Sequence, residues 1–289
     1  MSLPIKKIYI DTRFKTSDSK SSSDFKIDLP NSLYFPSNSV FYIDDKAIPH
    51  SWYTIEENIN DKLYIYVSPK EPDQDNNGVI CRIIKLNYGN YTGADLSAEL
   101  NLRIGEKIDT MEKPNILNVN FNARHNTISI STLYNEINFK ILTMKDIKNE
   151  LNNTWFGPSY NKNDSQDIND ILRNNENFSP FYDRNIPYKS GVLDLQLIRN
   201  IYFHSPNLGT YNTIGALGES SIIKKIPVTS DYNQMIFDQV MVGNDFLDCS
   251  KQTWRQLEFS LRDVRGNVIN LHGSHISFSI IFSIINPNM

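Results

Sequence analysis

The sequence predicts a mainly β protein, an antiparallel β-sandwich that carries a small α+β insertion. Three observations predict it. The first is the closing stretch, residues 256–285. There Leu257, Phe259 and Leu261 alternate with Glu258 and Ser260. Ile276, Phe278, Ile280, Phe282 and Ile284 then alternate with Ser277, Ser279 and Ser283. A period of two puts one set on one face, which marks half-buried strands and not helices. Ile281 and Ile285 break the polar set, so burial on both sides is expected near the end of this strand. The second observation is a series of short β-type runs at both ends of the chain, bounded by Gly, Pro and Asn. The third is a change of character over residues 79–186, where helical periodicity enters.

At 289 residues the chain suits one large β domain, or a domain with an insertion, and can bury a substantial core. A hydrophobic content of 39% and an aromatic content of 11% belong to a folded protein. The net charge of −4 implies neither nucleic acid nor an anionic membrane as partner. Cys81 and Cys249 make no disulfide framework; a single pairing stays open, and reduced thiols are the plainer reading. The opening MSLPIKKIYIDTRF lacks an apolar core of signal-peptide length. No run approaches the ~18 apolar residues of a membrane span. A soluble protein made without classical secretion is expected.

In chain order, Lys6–Asp11 alternates as a first strand, with Ile8 and Ile10 on one side and Tyr9 on the other. Residues 12–24 are polar, Ser-rich and of mixed charge. They read as a solvated loop, or as an arm that meets a partner or nucleic acid through Arg13, Lys15 and Lys20. Residues 25–29 form a second strand ended by Pro30, and 40–48 a third closed by Pro49. Residues 63–67 form a fourth, and 69–78 a loop. A strand over 79–86 and a turn over 88–93 open the inserted block. Residues 94–103 are helical, because Leu96, Leu100 and Ile104 recur at i, i+4 and i+8. Asp95 and Glu99 sit toward the N-terminal side of that helix. Strands near 117–121, 127–131 and 137–142 follow, with a tight reversal at 124–126. Thr143 caps a short helix over 144–151, with Asp146 in its first turn. A second brief helix, 167–172, sits inside the Asn-, Pro- and Gly-rich stretch 152–186. Residues 192–203 return to β-type sequence. A long glycine-bearing loop, 206–218, precedes strands at 222–227 and 235–241, and 246–254 connects to the closing sheet. The sandwich is thus assigned to 1–78 and 187–289, and the inserted α+β domain to 79–186.

Candidate chemistry is sparse. Glu56 and Glu57 adjoin Trp52 and Tyr53, but neighbours in a strand point to opposite faces. A glycosidase needs two carboxylates about 5 Å or about 6.5–9.5 Å apart across one bond. His272 and His275 share an HGSH turn without the further ligands zinc requires, so satisfying backbone groups is their expected role. GALGES lacks the lysine and the strand-loop-helix setting of a phosphate-binding loop. No G-x-S-x-G elbow occurs, and Cys81 reads as a core thiol. Basic residues are dispersed, which leaves no nucleic-acid platform. No catalytic, cofactor or metal residue is nominated.

Three ordered blocks carry a resemblance. The first is IYIDTRFKTSDSKSSSDFKIDLPNSL with NSVFYIDDKAIPHSWYTIEENINDKLYI. The second is RNIYFHSPNLGTYNTIGALGESSIIKKIPVTSDYN, and the third is TWRQLEFSLRDVRGNVINLHGSHISFSIIF. Together they resemble the penton, or minor capsid, proteins of virophages and related Polinton-type viruses. The resemblance covers both ends of the chain and leaves the middle block aside. It implies a single jelly roll of two facing four-stranded antiparallel sheets. It further implies a structural virion protein, made in the host cytoplasm, that forms a homopentamer at each fivefold vertex of an icosahedral capsid. A double jelly-roll major capsid protein would surround it, and the insertion would project outward near the axis. The family offers no catalytic, cofactor or metal residues to carry over. A fivefold ring uses a heterologous interface, so contacts are expected from loops and sheet edges. Residues 12–24 and the 206–218 loop, with Gly209 and Gly215, are the segments expected to make them. Two other classes stand beside this. One is a glycan- or receptor-binding β-sandwich module, or a minor capsid or cement protein elsewhere in the shell. The other is a glycoside hydrolase, for which no convergent carboxylates are visible.

Overall fold

The structure, a computed structural model, describes residues 6–70, 78–110, 113–149, 166–174, 179–208, 213–215, 218–238 and 246–284. The chain opens with strands β1 (Lys6–Asp11), β2 (Asp24–Tyr34) and β3 (Ser39–Pro49). A middle block follows: β4 (Lys62–Pro69), β5 (Ile80–Lys85), helix α1 (Gly93–Ile108), β6 (Asn118–Asn122), β7 (Thr127–Ser131), β8 (Ile137–Leu142), α2 (Met144–Asn149), α3 (Asn169–Leu172) and β9 (Tyr188–Lys189). The chain closes with β10 (Asn200–His204), β11 (Ile222–Pro227), β12 (Met235–Asp238), β13 (Leu247–Asp248), β14 (Thr253–Arg262) and β15 (Ser277–Ile284). No helix among the described residues is long and apolar enough to cross a membrane.

The chain divides into two compact units, 1–52 with 198–289, and 53–197. The first holds two antiparallel sheets, ordered β1-β15-β3-β12 and β11-β10-β14-β2, with β13 pairing β3 beyond β12. If its eight main strands are counted along the chain, those orders read 1-8-3-6 and 5-4-7-2. Strands consecutive in sequence alternate between sheets except the fourth and fifth, which pair with each other, and the first pairs the last. This is a single jelly roll. The alternation in β14 and β15 aims their apolar sets inward as expected. Phe278, Ile280 and Phe282 share one core with Leu257, Phe259 and Leu261 of the other sheet. Rings bridge the sheets: Phe278 lies 4.9 Å from Phe203 and 5.1 Å from Phe259, both edge-on. At the other end Phe282 meets Trp254 at 5.4 Å and Phe35 at 4.4 Å. Each such ring contributes roughly 1.5–3 kcal/mol by burial, and each pair about 0.5–1.5 kcal/mol more.

Local chemistry explains three departures from expectation in this unit. First, β2 runs through Pro30 instead of ending there. Leu29, Pro30, Asn31 and Ser32 stand opposite Arg255 alone, so the proline sits in a bulge on an edge strand, where no ladder N–H is required. Second, β15 is buried on both faces at its middle and not at its end: Ser279 and Ile281 are buried while Ile284 is exposed. Flanking β1 and β3 cover that middle. Ile285 lies outside the described residues. Third, the expected connection 246–254 contains β13, which extends the β12 edge along β3.

The second unit has sheets β5-β4-β8 and β6-β7-β9, with α1 packed on β5, β6 and β7. Leu96, Leu100, Ile104 and Ile108 line one stripe of α1 and are buried with Ile65, Ile84, Ile128 and Ile130. The helix starts in a capping box. Asp95 N–H donates to Thr92 Oγ1 at 3.2 Å, and Thr92 N–H donates back to Asp95 Oδ2 at 3.2 Å. Gly93 is required next, because a Cβ there would lie 2.3 Å from the Phe121 ring. α2 begins as expected, with Asp146 N–H donating to Thr143 Oγ1 at 3.2 Å. Strands β7 and β8 match the expected ranges.

The edges of the units differ from 78/79 and 186/187, the expected division. β4 pairs with β5 and β8 and so belongs to the second unit. The run 192–203 is a strand only from Asn200. Leu193, Leu195 and Leu197 turn into the second core, while Ile198 and Ile201 belong to the first. A continuous apolar alternation therefore hides a unit boundary.

Candidate functional site

Residues 12–24 form no free arm. Thr12 N–H donates to Ile276 O at 3.1 Å, and Ile276 N–H donates to Thr12 Oγ1 at 3.0 Å. Thr16 N–H donates to Lys26 O at 2.9 Å, and Ser22 and Ser23 are buried. The near balance of charge is spent locally. Arg13 holds Asp11 through Nε at 3.0 Å and Nη2 at 2.5 Å, and depresses the Asp11 pKa. Lys20 pairs with Asp24, and Lys26 with Asp18 and Glu258. Hydrogen bonding from Thr16, and then Lys26, lowers the Asp18 pKa.

Glu56 and Glu57 lie in a turn and not in the strand assumed for them. Tyr53 N–H donates to Glu56 Oε1 at 2.8 Å, Glu56 N–H donates to Asn60 Oδ1 at 2.8 Å, and Glu57 pairs with Lys85 at 3.3 Å. The Glu56 carboxylate holds the turn, and Glu57 makes a surface ion pair with Lys85 of β5. His275 meets side-chain hydroxyls instead of backbone groups: its Nδ1 is 3.3 Å from Thr12 Oγ1 and 3.4 Å from Ser22 Oγ. It fastens residues 12–22 to the start of β15. His204 Nδ1 lies 3.0 Å from Ser221 Oγ, and burial, helped by Arg262, lowers its pKa. Cys81 and Cys249 are both free thiols. Burial pushes Cys81 up to about 11 and Cys249 up to about 12, so both stay protonated and unreactive. No group of three or more His, Cys, Asp or Glu able to hold a metal occurs among the described residues.

In the 206–218 loop, Gly209 lies outside the described residues. Gly215 N–H donates to Glu219 O at 2.7 Å, and a Cβ at Gly215 would meet Glu219 Oε2 at 2.3 Å and Ile222 Cδ1 at 2.8 Å. Gly218 has φ +86°, a conformation that favours glycine. A bulky residue at Gly215 would disturb this turn directly, so it makes a poor probe of assembly.

What the structure adds is a set of surfaces. Among the described residues the jelly roll has four sheet edges: β1, β12 extended by β13, β11 and β2. Three carry charge or proline, which deter unwanted strand pairing: Lys6 and Lys7 on β1; Lys26, Asp28 and Pro30 on β2; Lys224, Lys225 and Pro227 on β11. β12 opens Met-Ile-Phe and carries a single charge, Asp238, at its end. Its Ile236 is buried in the core, but Met235 and Phe237 are 41% and 65% exposed. Tyr9 of β1 is 75% exposed. These side chains escaped sequence reading, because only the order of strands in a sheet tells which strand is an edge. In the second unit the exposed Tyr88 ring stacks on Tyr53 at 6.0 Å, and Lys140 Nζ sits 4.3 Å over the exposed Phe181 ring.

No family model matches the chain, and no curated protein matches it by sequence. Among solved structures it is similar to a mavirus penton protein, with a TM-score of 0.50 and 12% sequence identity. The alignment covers 97% of this chain and 100% of that one. The likeness is one of fold.

Proposed function

We propose that this chain is a structural capsid protein, a homopentameric capsomer at the fivefold vertices of an icosahedral shell beside a double jelly-roll major capsid protein. The observation that carries the reading is the likeness to a mavirus penton protein over 97% of this chain and 100% of that one, a span that takes in the insertion. The eight-stranded roll with its insertion between β3 and β10 agrees with it. Glu56, Glu57 and His275 are held in structural contacts, and both thiols are kept protonated, which favours a scaffold over an enzyme. In this reading the protein resides in the virion. Light scattering on the purified protein tests it. Five chains of 33.4 kDa give 167 kDa. That mass supports the capsomer; a stable dimer or trimer moves the assignment to a cement or other minor capsid role.

A second reading rests on the insertion. Its exposed Tyr88 and Phe181 rings suit a glycan or a receptor surface, and attachment is compatible with a vertex position. Binding of the full chain to a glycan array, lost on Tyr88→Ala, supports it. An array without signal removes it.

A further inference from the structure

We propose that neighbouring copies of this chain join through the β12 edge of one and the β1 edge of the next. The inference rests on the homo-oligomeric reading above and names the surfaces it would use. Four observations converge on it.

β12 is the least charged edge of the roll, with Asp238 its single charge and Met235 and Phe237 exposed beside the buried Ile236. An edge of this kind is a template for pairing with another chain. The opposite edge of the same sheet is β1, and it too presents a large exposed ring, Tyr9. Phe237 and Tyr9 share the sheet face that looks away from the core. The cross-strand row from Phe237 runs through Ala47 and Ser277 to Asp11, two residues from Tyr9.

The two edges are opposite in charge. Residues 6–15, KKIYIDTRFK, hold four bases and one acid. Residues 231–238 hold two acids, Asp231 and Asp238, and no base, and β13, which extends the same edge, adds Asp248. Complementary charge of this kind steers encounter and sets register. Like edges, β1 to β1 or β12 to β12, would repel.

Strand direction fits as well. Each pair in β1-β15-β3-β12 is antiparallel, so β1 and β12 run in opposite directions. A copy that keeps its strand direction therefore offers β1 antiparallel to its neighbour's β12. Two different surfaces meet, so the contact is heterologous and closes a ring when the rotation closes.

The test uses the full chain. Phe237→Asp places a charge in the contact without touching the core. The half-dissociation concentration of the oligomer should rise about tenfold or more, with the thermal midpoint of the separated chains unchanged. Lys6→Glu should weaken assembly too, and Asp238→Lys in the same chain should restore part of it, because an antiparallel contact that sets position 9 beside position 237 brings position 6 toward position 238. A chain carrying both Tyr9→Cys and Phe237→Cys, treated with a short bis-maleimide, should give a ladder of linked chains; neither single variant should. The native Cys81 and Cys249, protonated and at most partly accessible, add little background. The mass of the unaltered protein separates the two claims. A monomer there overturns the oligomeric reading and this one with it. An oligomer that tolerates Phe237→Asp and yields no link between positions 9 and 237 overturns the edge contact alone.

Discussion

In the jelly roll, Phe25, Phe203, Phe259 and Phe278 meet ring to ring between two sheets, whereas in the insertion Leu96, Leu100, Ile104, Ile128 and Ile130 pack an aliphatic core under one helix. The roll is assembled from both ends of the chain: β1 lies on β15, and β2 lies on β14. The insertion is one continuous stretch, 53–197, interrupting it. Long-range pairing requires loop closure before any contact forms, and that slows folding more than it changes stability. The contrast teaches that the insertion can organise from local signals, while the roll forms only when remote segments meet.

Separate cores should give separately movable unfolding transitions, and the largest effect tests that first. Phe259→Ala removes a buried ring that lies 5.4 Å from Phe25 and from Phe203. It should cost about 3–5 kcal/mol in the transition of the roll, followed by denaturant titration with a probe in each unit. Leu100→Ala, in the middle of the α1 stripe, should cost about 2–5 kcal/mol in the other transition. If both variants move one and the same transition, the two units unfold together and the contrast is lost.

Asp167 sharpens the comparison by pH. Burial pushes its carboxyl up to about 6 from 3.8. Oδ1 accepts from Asn169 N–H at 2.8 Å, while Oδ2 has no hydrogen-bond partner among the described residues. The folded insertion thus binds the Asp167 proton more tightly than the unfolded chain does. Its contribution to stability is fully present below about pH 4 and is lost as pH rises through about 6. Asp167→Asn should flatten that slope and stabilise the insertion at neutral pH by an amount on the order of 2 kcal/mol, with the roll unaffected. Equal slopes for the two proteins between pH 4 and 6 would refute it. The smallest effect is expected from Thr92→Ala, which opens the capping box of α1 and should cost about 1 kcal/mol, read as a shift of the insertion transition alone.

What the sequence could show follows the same division. The α1 stripe, the Thr143 cap and the strands at 127–131 and 137–142 were readable because their signals lie within a few residues of one another. The β14 and β15 alternation was readable for the same reason. The membership of β4 was not, since its partners β5 and β8 are a matter of tertiary pairing. Nor was the break at Leu197, where one apolar rhythm serves two cores in turn. Pro30 misled because a proline excludes a central strand but not an edge bulge. The segments nominated as contacts, 12–24 and 206–218, were chosen for being polar or glycine-bearing. Nothing in the run 235–241 marks Met235 and Phe237 as exposed, because that depends on β12 being the end of its sheet.

The measurement that tests the central claim most directly is the rotational symmetry of the purified protein in averaged electron-microscope images. The proposed capsid role, with assembly through unlike surfaces, predicts closed rings of five copies, each with one insertion. Averages with twofold or threefold symmetry, or single particles of 33.4 kDa at every concentration examined, would contradict it.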